Sequence, residues 1–442
     1  MFNLKFNSMK KFTFLLTCFF TAISSFAQSP VITTLYEHSV IKDGVRPAWM
    51  GDKKERNMAY YDGKIYVPSV QNGNQIFIID PETGLKIDEE TIDLPDVSGG
   101  AVGVSGIWIT PSGKIIVCNI TTNSSTDPFK VYALTPKTGE SGYDFSTILS
   151  WSDDVGHRLG DHIAVYGDFT SGGSGYIISA NVNTMNVLCW DILNGVVSVN
   201  PNIITLEGLY PPHDQVKIHY GPVIYPVDQT RFILNSARMH PTLYSKEGAM
   251  LAIFDGDAQP QMAGISGLTH FNFKERSFIV CGTTNYITGV PPNAIEVFEI
   301  TGGEFNFNQA VSVSGILPEN GYGDSNNSTY NVPIINKVLE NEVIFWVLVP
   351  NNSFAGYKLT IDATSVKNNQ INNGFTVYPV PASDFINFSL ELKSVALYNM
   401  TGQLVLKESN IEKLNVKGLQ GSFILKAFDN SGKSFNRLVV IK

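Results

Sequence analysis

Residues 156–169 read Gly-His-Arg-Leu-Gly-Asp-His-Ile-Ala-Val-Tyr-Gly-Asp-Phe, placing two histidines, an arginine and two aspartates within fourteen positions. Imidazoles near carboxylates can ligate a metal or relay protons, and an arginine beside an aspartate can hold a polar ligand. Five of the seven histidines lie between His157 and His240, which raises the metal reading first. Spacing does not sustain it, because the chain has no His-x-His, His-Glu-x-x-His or Cys-x-x-Cys pattern. A Gly-x-Ser-x-Gly elbow is also absent. Asp161, Asp214 and Asp324 could supply carboxylates for glycoside cleavage, but nothing in the sequence selects a pair. The short run at Asp255, DGDAQPQ, fits no calcium loop. The expectation is therefore no metal, no cofactor and no assigned catalytic residue.

The elements that must position these side chains repeat. Six apolar runs recur at intervals of roughly 55 residues, beginning at Lys64, Lys114, Gly175, Arg231, Ser277 and Val343. Each is followed by a polar loop and a second run, beginning at Gln75, Lys130, Asn186, Ala249, Ala294 and Phe354. The runs are short, rich in β-branched and aromatic residues, and bounded by Gly, Pro, Asn and Asp, so they are predicted strands. Many are apolar at consecutive positions, which means that both faces are covered. Antiparallel strands buried on both sides and repeated at this interval predict a β-propeller over residues 28–364, with six blades preferred over seven. The sixth repeat lacks a fourth strand of its own. The stretch from Val31, VITTLYEHS, belongs to no repeat and is expected to complete that last blade and latch the ring.

In such a ring, the loops leading into each innermost strand gather at one mouth with the loops between second and third strands. The lead-in loops contain Arg56, Arg158 with Asp161, His213 with Asp214, and Asp324. The other set contains Gln71, Asn72, Arg238 with His240, Asn285 with Tyr286, and Asn351. Arg56, Arg158, Asp161, His213, Asp214, Arg238, His240, Asn285, Tyr286 and Asp324 are accordingly the candidate ligand-binding residues. Polar side chains converging on a concave face suit an extracellular glycan or protein ligand. The alternative is a propeller-fold hydrolase or lyase acting on extracellular polysaccharide. Within the opening stretch, HIAVYG is the predicted inner strand of the third blade. That puts Arg158 and Asp161 at one end and Asp168 at the other.

The composition limits the partners. The chain carries 31 basic and 40 acidic residues, a formal net charge of −9, and no basic stripe, which argues against nucleic acid. Lys10 and Lys11 precede the apolar stretch FTFLLTCFFTAI, and Ser25 and Ala27 then give the small-residue spacing of a cleavage site. Residues 1–27 are read as a signal peptide, with Met9 as the true start and Gln28 as the first residue after cleavage. The apolar stretch is too short to span a bilayer, which needs about 20 residues. No second long apolar run follows, so the processed chain is expected to lack a transmembrane segment. Cys118, Cys189 and Cys281 each sit inside an apolar run and are expected to be core thiols.

Beyond a polar, Asn-rich linker at 365–374, residues 375–442 read as seven or so alternating strands of a small immunoglobulin-like β-sandwich. Tyr378-Pro379-Val380-Pro381 opens this segment, Tyr398-Asn399 precedes Gly402-Gln403, and Leu419, Gly421 and Phe423 follow before the chain ends on Lys442. These residues resemble the type A C-terminal sorting domain of the type IX secretion system. Val380 and Phe423 depart from that family's Asn and Tyr. The motif residues that carry over are Tyr378, Pro379, Pro381, Gly402, Leu419, Gly421 and Lys442. The resemblance implies recognition by the type IX machinery and delivery to the extracellular space or the outer-membrane surface. Residues 46–67, 119–132 and 158–168 also resemble an uncharacterised family of bacterial extracellular propeller-like proteins, which implies the fold but assigns no site.

Overall fold

A computed structural model describes residues 29–442 except Lys53 and segments 209–216, 237–238, 255–266, 283–292, 324–331, 362–375, 400–402 and 431–433. The protein is all-β and divides into two compact units, Met1–Thr364 and Ser365–Lys442. The first unit holds six antiparallel sheets. The first sheet is β2 (Ala59–Tyr61), β3 (Lys64–Ser69), β4 (Gln75–Ile79) and β5 (Ile92–Asp93). The second is β6 (Val102–Ile109), β7 (Ile115–Ile120), β8 (Phe129–Pro136) and β9 (Tyr143–Trp151). The third runs β10 (Ala164–Gly167), β11 (Ser174–Ala180) and β12 (Asn186–Leu193), with the short β13 (Val196–Val197) and β14 (Asn202–Thr205) both on β12. The fourth is β15 (Val223–Pro226), β16 (Arg231–Asn235), β17 (Thr242–Ser245) and β18 (Met250–Ile253). The fifth is β19 (Leu268–Phe273), β20 (Arg276–Gly282), β21 (Ile295–Ile300) and β22 (Ala310–Leu317).

The sixth sheet contains β23 (Ile334–Val338), β24 (Val343–Val349) and β25 (Ser353–Ile361). Its fourth strand is β1 (Pro30–Ser39), paired with β25 from Pro30 opposite Ile361 to Ser39 opposite Ser353. The N-terminal strand thus stands where the sequence placed it, and β25 has no open edge.

Alternation along each strand explains the unbroken apolar runs. Tyr66, Ile76 and Ile78 pack toward the second sheet, whereas Ile65, Val67, Phe77 and Ile79 pack toward Trp346 and Leu348 of the sixth. A strand with a core on each side must be apolar at odd and even positions alike. The same division generates six apolar cores, each between consecutive sheets, and the last joins the sixth sheet to the first. The innermost strands also touch in cyclic order: β2, β6, β10, β15, β19, β23 and back to β2. Cys118, Cys189 and Cys281 are fully buried free thiols, and burial raises the pKa of each.

Hydrogen bonds join the sheets by one repeated rule. The loop after the second strand of each sheet bonds to the segment leading into the next. Examples are Leu94 N–H to Asn74 O, the Thr121–Leu159 bridge, Ile218 N–H to Thr184 O and Phe254 N–H to Pro241 O. Tyr322 N–H to Asn293 O continues the series, and Val40 N–H to Asn352 O closes it from the sixth sheet to the first. These loops therefore share one end of the unit with the lead-in segments.

The second unit differs from expectation in its strand number. Among the described residues five strands form its sheet, where the sequence reads as seven or so: β26 (Val377–Tyr378), β27 (Phe385–Asn399), β28 (Leu404–Asn415), β29 (Gly421–Asp429) and β30 (Ser434–Ile441). Glu391, Lys393 and Ser394, on either side of Leu392, read as a break between two strands in sequence. Here β27 runs through it for 15 residues, with register shifts absorbing the irregularity between Asn387 and Leu392 and between Leu392 and Ser394. One face of this sheet covers a single core that includes Ile386, Leu397, Leu414, Leu425 and Val439.

Candidate functional site

The opening stretch resolves into four separate tasks. His157 is 6% exposed and lies between Asp153, whose Oδ2 is 2.7 Å from its Nε2, and Asn181, whose Nδ2 meets its Nδ1. Trp151 lies against the ring at 5.5 Å, and Ser124 Oγ accepts from His157 N–H while donating to Asp153 Oδ1. Every polar atom of this imidazole is occupied by the joint between the second and third sheets, so it is a strut. Gly160 allows the close approach that the joint needs. It has φ +88°, and a Cβ there would lie 1.8 Å from the Asn119 carbonyl oxygen. Asp168 belongs to the other end of the strand, where it accepts from Ser112 N–H at 2.9 Å and Ser112 Oγ at 2.7 Å.

Arg158 and Asp161 form the polar rim. The guanidinium donates through Nε (2.9 Å) and Nη2 (2.7 Å) to the two carboxylate oxygens, and its plane sits 5.1 Å from the Tyr220 ring. Burial opposes the Arg158 charge, but the two bonds and the charge of Asp161 outweigh it and raise the pKa. Arg56, from the lead-in to β2, is within electrostatic reach of both. Burial lowers its pKa, Asp161 partly restores it and Arg158 lowers it further. Arg158 and Arg56 thus both lie within electrostatic reach of one carboxylate, and an aromatic face stands beside Arg158.

Below this rim lies a cavity of about 240 Å³ walled by the innermost strands and the residues leading into them. Asn57 follows Arg56 into it and His162 follows Asp161, so rim and cavity meet at consecutive residues. Trp108, Tyr60, Tyr225, Thr269 and Asn336 add aromatic and polar surface to a lining whose remaining side chains are mostly aliphatic. A second recess of about 690 Å³ lies at the joint where the ring closes and includes Arg46, Trp49, Gln71 and Asn72. There Arg46 Nη1 donates to Asn351 Oδ1, and Lys86 sits 4.4 Å from the Phe77 ring centre.

Of the ten candidate ligand residues, the structure brings Arg56, Arg158 and Asp161 together. His240 stands in the loop after β16, where its carbonyl accepts from Thr242 Oγ1 at 3.0 Å. His213, Asp214, Arg238, Asn285, Tyr286 and Asp324 lie outside the described residues. Sequence reasoning missed Tyr220, Asn57 and Asn336. Tyr220 had a legible signal, an aromatic directly before Gly221 in a lead-in loop, whereas the other two are ordinary asparagines until the inner strands meet. Among the described residues no group of three or more metal-ligating side chains assembles. Asp161 is tied to Arg158 and is not paired with a second acid.

In the second unit the motif residues hold the chain ends together. Ala382, beside Pro381, donates its N–H to Val440 O and accepts from Lys442 N–H, both at 2.8 Å. Tyr378 O accepts from Asn387 Nδ2 at 3.1 Å, Leu419 packs on the core, and Gly421 opens β29 at φ +115°. Pro379 lies between these anchors, and Gly402 falls outside the described residues.

The protein is thus an all-β chain whose first unit is a cycle of six sheets and whose second is a compact five-stranded sheet. Residues 376–442 match the secretion system C-terminal sorting domain family, the type IX sorting domain. This domain marks the protein for the type IX secretion machinery and for export to the extracellular space or cell surface. No curated protein matches the chain. Among solved structures, a DUF4623 family protein from Bacteroides eggerthii is 13% identical, with a TM-score of 0.54 over 76% of this chain and 78% of that one. That likeness shows a shared fold. The computationally designed Ika8 protein is 12% identical, covering 90% of this chain and 99% of its own, with a TM-score of 0.32. A neuraminidase-like protein of A/little yellow-shouldered bat/Guatemala is also 12% identical, covering 76% and 100% respectively, with a TM-score of 0.41. Among the described residues no helix is long and apolar enough to cross a membrane.

Proposed function

We propose that residues 28–364 form a six-bladed β-propeller that binds an extracellular glycan at the mouth carrying Arg56, Arg158, Asp161 and Tyr220. The observation that supports this reading most is the Arg158–Asp161 fork beside the Tyr220 ring, with Arg56 within electrostatic reach of it. A fork of guanidinium donors and a ring surface together suit hydroxyl-rich ligands with one apolar face. The reading as a polysaccharide hydrolase or lyase calls for a second carboxylate next to Asp161, and the described residues provide none there. After removal of residues 1–27, the exported chain would begin at Gln28.

A glycan-array screen of the exported protein, with product analysis on each hit, tests the proposal. Arg56→Ala is expected to weaken binding at least tenfold without loss of fold. Turnover of a bound glycan would transfer the case to the hydrolase reading. A full array without a hit, alongside capture of a protein partner that depends on Arg56, would replace the glycan with a protein ligand.

A further inference from the structure

We infer that the cavity at the centre of the six sheets is a binding site for one uncharged sugar residue, the terminus of the glycan held at the rim. This rests on the glycan reading above and deepens it.

The lining excludes charge. Among the described residues no Lys, Arg, Asp or Glu contributes to it, and an ionised group brought into such a space without a partner meets a severe desolvation penalty. His162, the one titratable imidazole in the wall, is 7% exposed and pushed down to about 4 by burial, so it is neutral at ordinary pH. Its Nδ1 accepts from Ile224 N–H at 3.4 Å, which leaves the ring proton on Nε2. No described protein group pairs with that Nε2. A buried N–H donor on the cavity wall is therefore open to a ligand oxygen.

Asn57 supplies a second unsatisfied group. It is 3% exposed, lines the same cavity, and its Nδ2 has no partner among the described residues. A buried amide left unpaired is destabilising by roughly 1–3 kcal/mol, and a ligand acceptor removes that penalty once the Asn57 side chain turns its Nδ2 into the cavity. Asn336 Nδ2 already donates to Thr269 Oγ1, so the opposite wall is satisfied internally. Aliphatic side chains from the inner strands and the Trp108 ring make up most of the remaining surface.

Two neutral donors facing aliphatic walls match a pyranose, which carries hydroxyl and ring oxygens at its edge and C–H bonds on its faces. Size sets the stoichiometry. A space of about 240 Å³ holds the equivalent of roughly eight waters at ~30 Å³ each, enough for one ring and too little for two. Direction follows from sequence adjacency. Arg56 precedes Asn57 and Asp161 precedes His162, so a chain engaged at the rim presents its end, rather than its middle, to the cavity.

The test uses the full exported protein and methyl glycosides of glucose, galactose, mannose, xylose and fucose, with methyl glucuronide as the charged probe. Calorimetry or ligand-observed NMR is expected to find binding by at least one neutral glycoside and none by the glucuronide. Asn57→Leu and His162→Asn should each weaken that binding at least tenfold. Arg56→Ala should weaken the polymer. Melting curves confirm that each variant is folded. Two substitutions of opposite polarity keep the test valid if one of them fails.

Absence of binding by every neutral glycoside would overturn the inference and leave a cavity that holds only water. Binding that survives both Asn57→Leu and His162→Asn would overturn it equally. Polymer binding that depends on Arg56 without any single-sugar binding would sink the cavity site and leave the rim reading standing. Single-sugar binding through Asn57 with no effect of Arg56→Ala on the polymer would do the reverse.

Discussion

In the first unit, β7 is buried at all six of its positions, whereas in the second β29 alternates, with Phe423, Leu425 and Ala427 inward and Ser422, Ile424 and Lys426 outward. The first strand serves two cores and the second serves one. Strands of the ring are thereby committed to packing over their whole length, and polar side chains are left to the loops at their ends. The sorting sheet keeps a free face and fixes its chain with named motif residues. Composition follows the same division: all five tryptophans and all seven histidines lie before residue 365, and the second unit has neither. It also carries nine basic against five acidic residues, within a chain that is acidic as a whole.

The severest way to break this comparison is to remove a side chain that serves two sheets. Trp190 is fully buried on β12, 5.5 Å from Phe129 and 5.8 Å from Trp151 of the second sheet. Trp190→Ala should lower the stability of the ring by about 3–5 kcal/mol, as expected for a large aromatic deleted from a core. Tryptophan fluorescence in urea reads this loss from the ring alone. Hydrogen exchange at β27–β30 should be unchanged. If those amides lose protection together with the ring, the two units unfold as one and the comparison fails.

The units also differ in how far the sequence disclosed them. The ring's strands were legible because a run such as Ile115–Ile120 can be buried on both faces only between neighbours, and the unmatched N-terminal run had one vacant edge to fill. The sorting domain was legible because Tyr378, Leu419 and Gly421 stand at fixed spacings. Its strand number was not, since the polar residues Glu391, Lys393 and Ser394 look like a turn and only the paired register shows that β27 continues through them. The site was half legible. Arg158 and Asp161 are three residues apart and their bond is local, but Arg56 joins them from a hundred residues away through ring closure. The two histidines of the opening stretch were indistinguishable in sequence. His157 has a partner at each nitrogen and His162 has one, and only the fold separates strut from cavity wall.

Acid should separate the units with a smaller effect. His162 and His270 are buried, and desolvation pushes each down to about 4 from an ordinary value near 6.5. Between these values the unfolded chain binds protons that the folded ring refuses. The contribution is complete above pH ~6.5 and is lost as pH falls toward 4, on the order of 3 kcal/mol for each ring. Glu55 and Glu296 act in the opposite sense. Burial raises their pKa values, so they keep protons longer in the folded state, and their contribution is present in acid and lost as pH rises. The histidine effect is therefore best read as a difference: the urea midpoint of His162→Asn should change less between pH 7 and 4.5 than that of the parent. An identical pH response in the two proteins would show that His162 is not held neutral. The second unit has no histidine, so it should show no change over pH 5–7.

The smallest effect is the sharpest test of what each unit is for. Asn399 ends β27 and bonds to Gln403, directly before β28. Its Oδ1 accepts from Gln403 N–H at 2.9 Å and its Nδ2 donates to Gln403 Oε1 at 3.0 Å. Asn351 plays a similar part at the ring joint, where its Oδ1 accepts from Arg46. Asn399→Ala and Asn351→Ala each remove exposed or half-exposed side-chain bonds, so each should lower the stability of its own unit by about 0.5–1.5 kcal/mol. Similar losses should have unlike consequences. If the secretion machinery reads the Asn399–Gln403 contact, Asn399→Ala should reduce the fraction of protein outside the cell severalfold, well beyond what its small instability accounts for. Asn351→Ala should leave export intact and affect only the ring. Equal export of the two variants would mean that the machinery reads the sheet without this contact, and the address would then reside in the chain-end contacts of Ala382 with Val440 and Lys442.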